Sequence, residues 1–238
     1  MNKIRLFVDH TLGEAQSVPL NKDQAHYIFS VMRKSIGETI LIFDGNNGEW
    51  EASIEEISKK SGVLFCVKQT KPQIMPPDLW LFFCPLKKVR TDFIVEKATE
   101  LGVAKIIPVQ TEHTNVDRIK LSRLSAHAIE AAEQCGGTYI PKIEELQKIN
   151  EVLEHFPPDR RLLFCDEKLT ASELNLENLK KGKWAILIGP EGGFSEIERN
   201  YIKGLKFTFS ISLGPRILRA DTAAVTAISL WQNYLGDW

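Results

Sequence analysis

Two stretches near the carboxyl end decide the fold: Trp184 to Glu198, WAILIGPEGGFSEIE, and Ser210 to Leu230, SISLGPRILRADTAAVTAISL. Each follows or contains a short apolar run of strand character, breaks at glycine and proline, and resumes at helical spacing. A strand feeding a helix through a short loop is the repeating unit of a parallel sheet covered on both faces. In the first stretch Ser195 and Glu198 have the three-residue spacing of a capping box, so a helix is predicted to start there. In the second, Asp221 and Thr222 precede an apolar helix and read as its cap. Ligands of open α/β sheets lie at the carboxyl ends of strands, where both glycine-containing loops fall. The two loops are therefore expected to form one pocket.

Working back toward the amino end, the alternation continues. Leu79 to Cys84 reads as a buried strand and Arg90 to Leu101 as a helix stopped by Gly102. Lys105 to Val109, Arg161 to Cys165, Trp184 to Ile188 and Phe207 to Leu213 read as strands, with helices expected over Asp117 to Gln134 and Glu144 to Phe156. The first 70 residues differ. Ile4 to Val8, Glu38 to Asp44, Glu49 to Ile57 and Gly62 to Lys68 read as strands, the middle two forming a hairpin across Gly45-Asn46-Asn47-Gly48. With one helical stretch, Asp23 to Arg33, this suggests a small β-barrel. Lys71 to Asp78, KPQIMPPD, is proline-rich and reads as a linker. The expected organisation is a barrel over 1–70, a linker over 71–78 and an α/β domain over 79–238.

Composition narrows the function classes. Net charge is −1, with 30 Lys and Arg against 31 Asp and Glu, so bulk charge does not steer the chain toward nucleic acid. Its four cysteines form no CxxC pair, which argues against a zinc site, and no metal is expected. No apolar stretch reaches the ~20 residues that span a bilayer, and no signal peptide is evident, so no membrane partner is expected. The chain reads as a reduced, cytoplasmic protein.

The loops carry the chemistry. Ile188 to Ser195, IGPEGGFS, matches neither GxxxxGK[ST] nor GxGxxG, which disfavours a nucleoside-phosphate reading. Its glycines let a ligand approach the backbone, or simply make a strand-to-helix turn. Arg216 and Arg219 stand just before a helix N-terminus, where the dipole disfavours cations. They are either solvated or held there for an anionic partner. Lys87, Lys88 and Arg90 read as a solvated basic face. Of the histidines only His113, at a strand end, is a candidate base.

Four motifs in order, ATELGV, AAEQCG, IGPEGGFS and LGPRILRADTAAV, after a small β-rich domain, resemble the RsmE family of ribosomal RNA uridine N3-methyltransferases, in the SPOUT superfamily. The resemblance covers essentially the whole chain. It implies an N-terminal PUA-like RNA-binding β-barrel, a C-terminal α/β domain with a trefoil knot, S-adenosyl-L-methionine (SAM) as cofactor, small-subunit ribosomal RNA as substrate, and a homodimer. By matching motif, SAM contacts fall on Gly189, Pro190, Glu191 and Gly192, on Leu213, Gly214, Ile217 and Leu218, and on Cys165 and Asp166. Two positions depart from the family pattern. Gly137 stands where arginine is common, and Asp221 where glutamate often occurs.

Methyl transfer to N3 of uracil requires loss of the N3 proton, which places negative charge on the flanking carbonyl oxygens. Arg219 is the expected stabiliser of that charge, with Asp221 or Glu191 as proton acceptor. Arg5, His26, Arg33 and Lys34 are the expected phosphate contacts. The alternative is a non-catalytic RNA-binding or ribosome-assembly factor that keeps the fold.

Overall fold

The computed structural model describes residues 4–58, 60–169 and 176–238. The chain divides into two compact units, one of Met1–Met75 with Ala132–Ile140, the other of Pro76–Ala131 with Pro141–Trp238.

The first unit is a five-stranded sheet of β1 (Arg5–Phe7), β2 (Ser17–Leu20), β3 (Thr39–Phe43), β4 (Glu49–Ile57) and β5 (Gly62–Lys71), in the order β1-β3-β4-β5-β2. The hairpin read from the sequence is present: β3 and β4 pair antiparallel, Phe43 opposite Glu49. Strand β2 was not anticipated. Its Pro19 weakens the strand signal, and among the described residues it pairs only with β5, as expected of an edge strand. Inward-pointing residues such as Val18, Ile40, Ile42, Ala52, Ile54 and Leu64 make the core.

The predicted helix over Asp23 to Arg33 is two things. α1 (Lys22–Ala25) is started by a capping box in which Asn21 and Gln24 bond each other's backbone. It then widens into a π-helical turn, His26–Val31. Arg33 follows with φ of +54°, a left-handed position few non-glycine residues occupy. The linker region also departs from expectation. The Gln73 side chain bonds Gly48 N–H and Gly45 C=O, and Ile74 N–H donates to Thr138 Oγ1. These bonds tie residues up to Ile74 into the first unit.

The second unit holds β6 (Leu79–Phe83), β7 (Lys105–Gln110), β8 (Lys142–Ile143), β9 (Gln147–Lys148), β10 (Arg161–Cys165), β11 (Trp184–Ile188) and β12 (Thr208–Ile211). The main path runs β12-β10-β11-β6-β7-β8, with β9 also on β7. Every pairing is parallel, as the unbroken apolar runs predict. Helices α2 (Lys88–Glu100), α3 (Leu121–Cys135), α4 (Ile149–Glu154), α5 (Glu196–Gly204) and α6 (Ala220–Leu235) connect or follow the strands.

Three helix boundaries correct the sequence reading. The helix expected over Glu144 to Phe156 is only α4, because Lys142–Ile143 and Gln147–Lys148 take extended positions beside β7. The helix expected from Asp117 begins at Leu121. Helix α6 begins at Ala220 with Arg219 as its N-cap, so Asp221 lies inside the first turn and does not cap it. By contrast the box at α5 is as predicted. Ser195 accepts from Glu198 N–H, and the Glu198 carboxylate accepts from Ser195 N–H.

Because β12, β10, β11 and β6 are adjacent and parallel, the loops leaving their carboxyl ends lie side by side at one sheet edge. These are the loops after Cys165, Ile188 and Ile211, together with the entry to α2.

Candidate active site

At that edge is a cavity of about 270 Å³. Its lining comes from three loops: Cys165 to Glu167 with Leu169, then Ile188 to Glu191 with Gly193, then Ser212 to Gly214 and Arg216 to Ala220, closed by Ala223. The shared pocket expected from the two carboxyl-end stretches is thus found among the described residues, with a third wall from the loop after β10.

Most of the predicted contacts meet there. Cys165, Gly189, Pro190, Glu191, Leu213, Gly214, Ile217 and Leu218 all line the cavity, as does Arg219. Gly192 does not. A Cβ at that position would stand 3.1 Å from His113 Cβ, so its small size serves packing against His113. His113 in turn pairs its Nδ1 with Gly193 C=O at 3.0 Å. This histidine holds the glycine loop, a role that displaces the sequence reading of it as a base.

Two glycines shape the site. A Cβ at Gly189 would fall 2.5 Å from the buried ring of Phe194, so the loop can pass there only without a side chain. Gly214 has φ of +114° and lines the cavity, and a Cβ there would meet nothing within 4 Å. The space a side chain would take is left open beside the cavity.

The electrostatics centre on Arg90, which the sequence reading placed on a solvated basic face and which is instead paired with two carboxylates. Arg90, in the first turn of α2, holds Asp221 with two parallel bonds, Nε to Oδ2 at 2.7 Å and Nη2 to Oδ1 at 2.9 Å. Its Nη1 also donates to Glu191. Hydrogen bonding from Arg90 drives the Asp221 carboxyl down to about 2. The same partnership, led by Asp221, raises the Arg90 guanidinium above its ordinary value. Asp221 is therefore held as a carboxylate with both oxygens engaged by Arg90, which makes it a weak base. A usable signal was present: α2 has no acid in its first turn and carries a cation there, the anomaly already noted at Arg216 and Arg219.

Arg219 contrasts with Arg90. It is exposed, provides no side-chain cap to α6, and among the described residues its guanidinium has no hydrogen-bond or ion-pair partner. Asp166, a further wall residue, is buried and accepts Arg199 Nε at 2.9 Å on each oxygen, pinning the loop after β10 to α5. Cys165 is buried, and burial pushes its thiol up to about 12, so it lines the cavity as a neutral group.

In the first unit, Arg5 is not free to contact a phosphate. It donates to Glu49 Oε2 at 2.5 Å and to the carbonyls of Ala132, Glu133 and Gly137, and it lies 4.4 Å over the Phe43 ring. It secures the residues that end α3. His26 and Arg33 are exposed, and Lys34 is half-buried and paired with Glu38 at 2.6 Å. Among the described residues no group of three or more His, Cys, Asp or Glu is placed to hold a metal, and no helix is long and apolar enough to cross a membrane.

The fold and site define a two-domain RNA methyltransferase. Residues 74–232 match the model of the RNA methyltransferase domain, and residues 20–64 that of the RNA methyltransferase PUA domain. The architecture is a mixed α/β fold with a PUA-like domain and a methyltransferase domain. The chain belongs to the ribosomal RNA small subunit methyltransferase E family. It is 32% identical over 229 residues to that enzyme of Rickettsia conorii, covering 94% of this chain and 93% of the relative. Among solved structures it is similar to a Legionella pneumophila methyltransferase in complex with SAM, at TM-score 0.89 and 28% identity with full coverage of both chains. It is also similar to the Neisseria gonorrhoeae ribosomal RNA small subunit methyltransferase E bound to S-adenosyl methionine, at TM-score 0.88 and 27% identity, again over both full chains.

Proposed function

We propose that this protein transfers the methyl group of SAM to N3 of a uridine in the RNA of the small ribosomal subunit. One observation carries the reading: the two glycine loops, IGPEGG and LGPRILR, enclose a common cavity that has an unpaired guanidinium, Arg219, on its wall. The residues present suit the cofactor. At about 270 Å³ the cavity lies just below the roughly 300–1,000 Å³ of small-molecule sites, and it is mostly apolar, with a few polar groups placed among glycines. Backbone at Gly189, Pro190, Leu213 and Gly214 and the side chains of Ile217 and Leu218 would hold SAM, with Cys165 and Ile188 as apolar floor. When bound, SAM supplies an electrophilic methyl group on its sulfonium.

The chain's own part is positioning and charge. Arg219 faces the carbonyl oxygens that become anionic when uracil loses its N3 proton, and it stabilises them. Glu191 lies on the cavity wall with only its Oε1 engaged by Arg90, and it is the proton acceptor in this reading, whereas Arg90 binds both oxygens of Asp221, which is off the cavity lining. The target base leaves its stack to reach the cavity.

The first unit is the RNA-binding module, a PUA-like barrel in which His26, Arg33 and Lys34 contact phosphate. The methyltransferase unit carries the trefoil knot of its superfamily. A homodimer completes the site, covering the apolar side chain of Ile217, which lines the cavity and is 87% exposed.

The test is transfer of labelled methyl from SAM to ribosomal RNA or assembled small subunits, with mapping of reverse-transcription stops. A methyl group on N3 occupies the pairing edge, so a single stop at a uridine is expected. RNA binding with neither SAM binding nor label would overturn the enzyme reading in favour of an assembly factor.

A further inference from the structure

Among the described residues Arg219 is unpaired although three carboxylates, Asp166, Glu167 and Glu191, line the same cavity. A fourth, Asp221, follows Arg219 by two residues on the chain. Left alone, any of these acids would be a partner for a free guanidinium, and a paired Arg219 would be a weaker stabiliser of the reacting base. Asp166 is held by Arg199, Glu167 accepts Phe194 N–H at 3.4 Å, and the other two acids are held by Arg90. Arg90 occupies both oxygens of Asp221 and one of Glu191. A planar guanidinium is suited to this, because its fork meets one carboxylate with two donors and still directs a third elsewhere. Arg90 itself is not among the cavity-lining residues.

We propose that Arg90 is a positioning residue that acts by occupancy: it engages Glu191 and Asp221 so that Arg219 stays free for the anionic uracil. This rests on the methyltransferase reading for its purpose, but the ion-pair exchange at its centre is independent of it. The bonds also join three segments, the start of α2, the glycine loop after β11 and the first turn of α6. Arg90 thus fixes the backbone from which Arg219 projects, as well as the acids around it.

The experiment that separates occupancy from simple bracing is arginine-selective labelling of the ligand-free protein with phenylglyoxal, followed by mass spectrometry of the modified peptides. In the unaltered protein Arg219 is expected to react readily and Arg90 slowly. In Arg90→Ala the freed acids capture Arg219, and its labelling slows by about fivefold, the worth of roughly one ion pair. Adding Glu191→Gln and Asp221→Asn to Arg90→Ala removes the captors and restores rapid labelling of Arg219. Arg90→Lys holds one acid at a time and gives an intermediate rate. It carries the test if Arg90→Ala does not fold. In the methyl-transfer assay Arg90→Ala lowers kcat by on the order of tenfold, with a smaller change in SAM affinity.

Equal labelling of Arg219 in the unaltered protein and in Arg90→Ala, or protection of Arg219 in both, would overturn the proposal. So would failure of the triple variant to restore labelling. Absence of methyl transfer by the unaltered protein bears instead on the proposed function, because the labelling pattern stands without it.

Discussion

Two helices leave this sheet beside the same cavity, and they begin in opposite ways. Helix α5 obeys every local rule. Ser195 caps it, Glu198 completes the box, and Glu196 and Glu198 place negative charge in its first turn. Helix α6 has an arginine at its N-cap with no capping bond, and its one first-turn acid is bound to Arg90 from another helix. The first start is satisfied within a span of four residues. The second is satisfied only by a tertiary contact, and it leaves one cation unmatched. Proteins break local rules where function needs the exception, so the unmatched end is where chemistry is expected. The well-formed end is a support.

Substitutions at the two ends should therefore differ in kind. Arg219→Ala removes the proposed stabiliser of anionic uracil and should lower kcat by about 10²–10³-fold, the usual cost of losing a preorganised donor. Stability and SAM affinity should change little, since among the described residues the Arg219 side chain has no hydrogen-bond or ion-pair partner. The check is turnover at saturating SAM beside SAM titration by calorimetry. Turnover within a few fold of the unaltered protein would remove Arg219 from the mechanism and erase the contrast.

The loop before α5 offers a second test, because there the fold and the cavity meet. Gly189→Ala places a methyl 2.5 Å from the Phe194 ring, which is 3% exposed and cannot swing into solvent. Overpacking of this kind costs about 1–3 kcal/mol. Denaturant midpoints should fall, and SAM should bind more weakly because the displaced loop is a cavity wall. Gly204→Ala, where an added Cβ meets nothing within 4 Å, is the control and should leave SAM binding intact.

The same contrast explains what could be read from sequence. The α5 entry was legible because its determinants, Ser195 and Glu198, lie three residues apart. The parallel sheet was legible because strands buried on both faces are unbroken apolar runs, as β6 and β11 are. The cavity walls followed from topology once both glycine loops fell at strand ends. What was not legible depends on distance along the chain. Arg90 meets Asp221 across 131 residues, and the pattern KKVR gives no hint of it beyond a cation misplaced at a helix start. Arg5 was read as a phosphate contact, yet carbonyls more than 120 residues away bind it. Strand β2 and the brief β8 and β9 have too few residues to show a period, and each exists only through its partner strand.

A smaller effect is expected at the cap itself. Ser195→Ala removes the oxygen that accepts Glu198 N–H and should cost about 1 kcal/mol. For a chain of this size that lowers Tm by about 2–4 °C. Turnover at 25 °C should hold, because Glu198 still accepts Glu112 N–H and keeps α5 near its place. A loss of turnover as large as that of Arg219→Ala would mean that the two ends do not differ in the way described.

The smallest effect is in pH dependence, and its sign follows from Asp221. Its carboxyl is lowered from 3.8 to about 2 in the folded protein, chiefly by the Arg90 bonds. A depressed carboxyl contributes stability that is full above the unfolded value and is lost as pH falls through the folded one. The contribution should therefore be constant from pH 5 upward and fade between about pH 4 and 2. Asp221→Asn should remove that part of the acid-limb slope, measured as denaturant midpoint against pH, while midpoints at pH 6 and 8 remain parallel to those of the unaltered protein. The same ionisation cannot appear in the activity profile between pH 5 and 9. A limb in that range that vanishes in Asp221→Asn would show the carboxyl titrating near neutrality, and would return Asp221 to the role of proton acceptor.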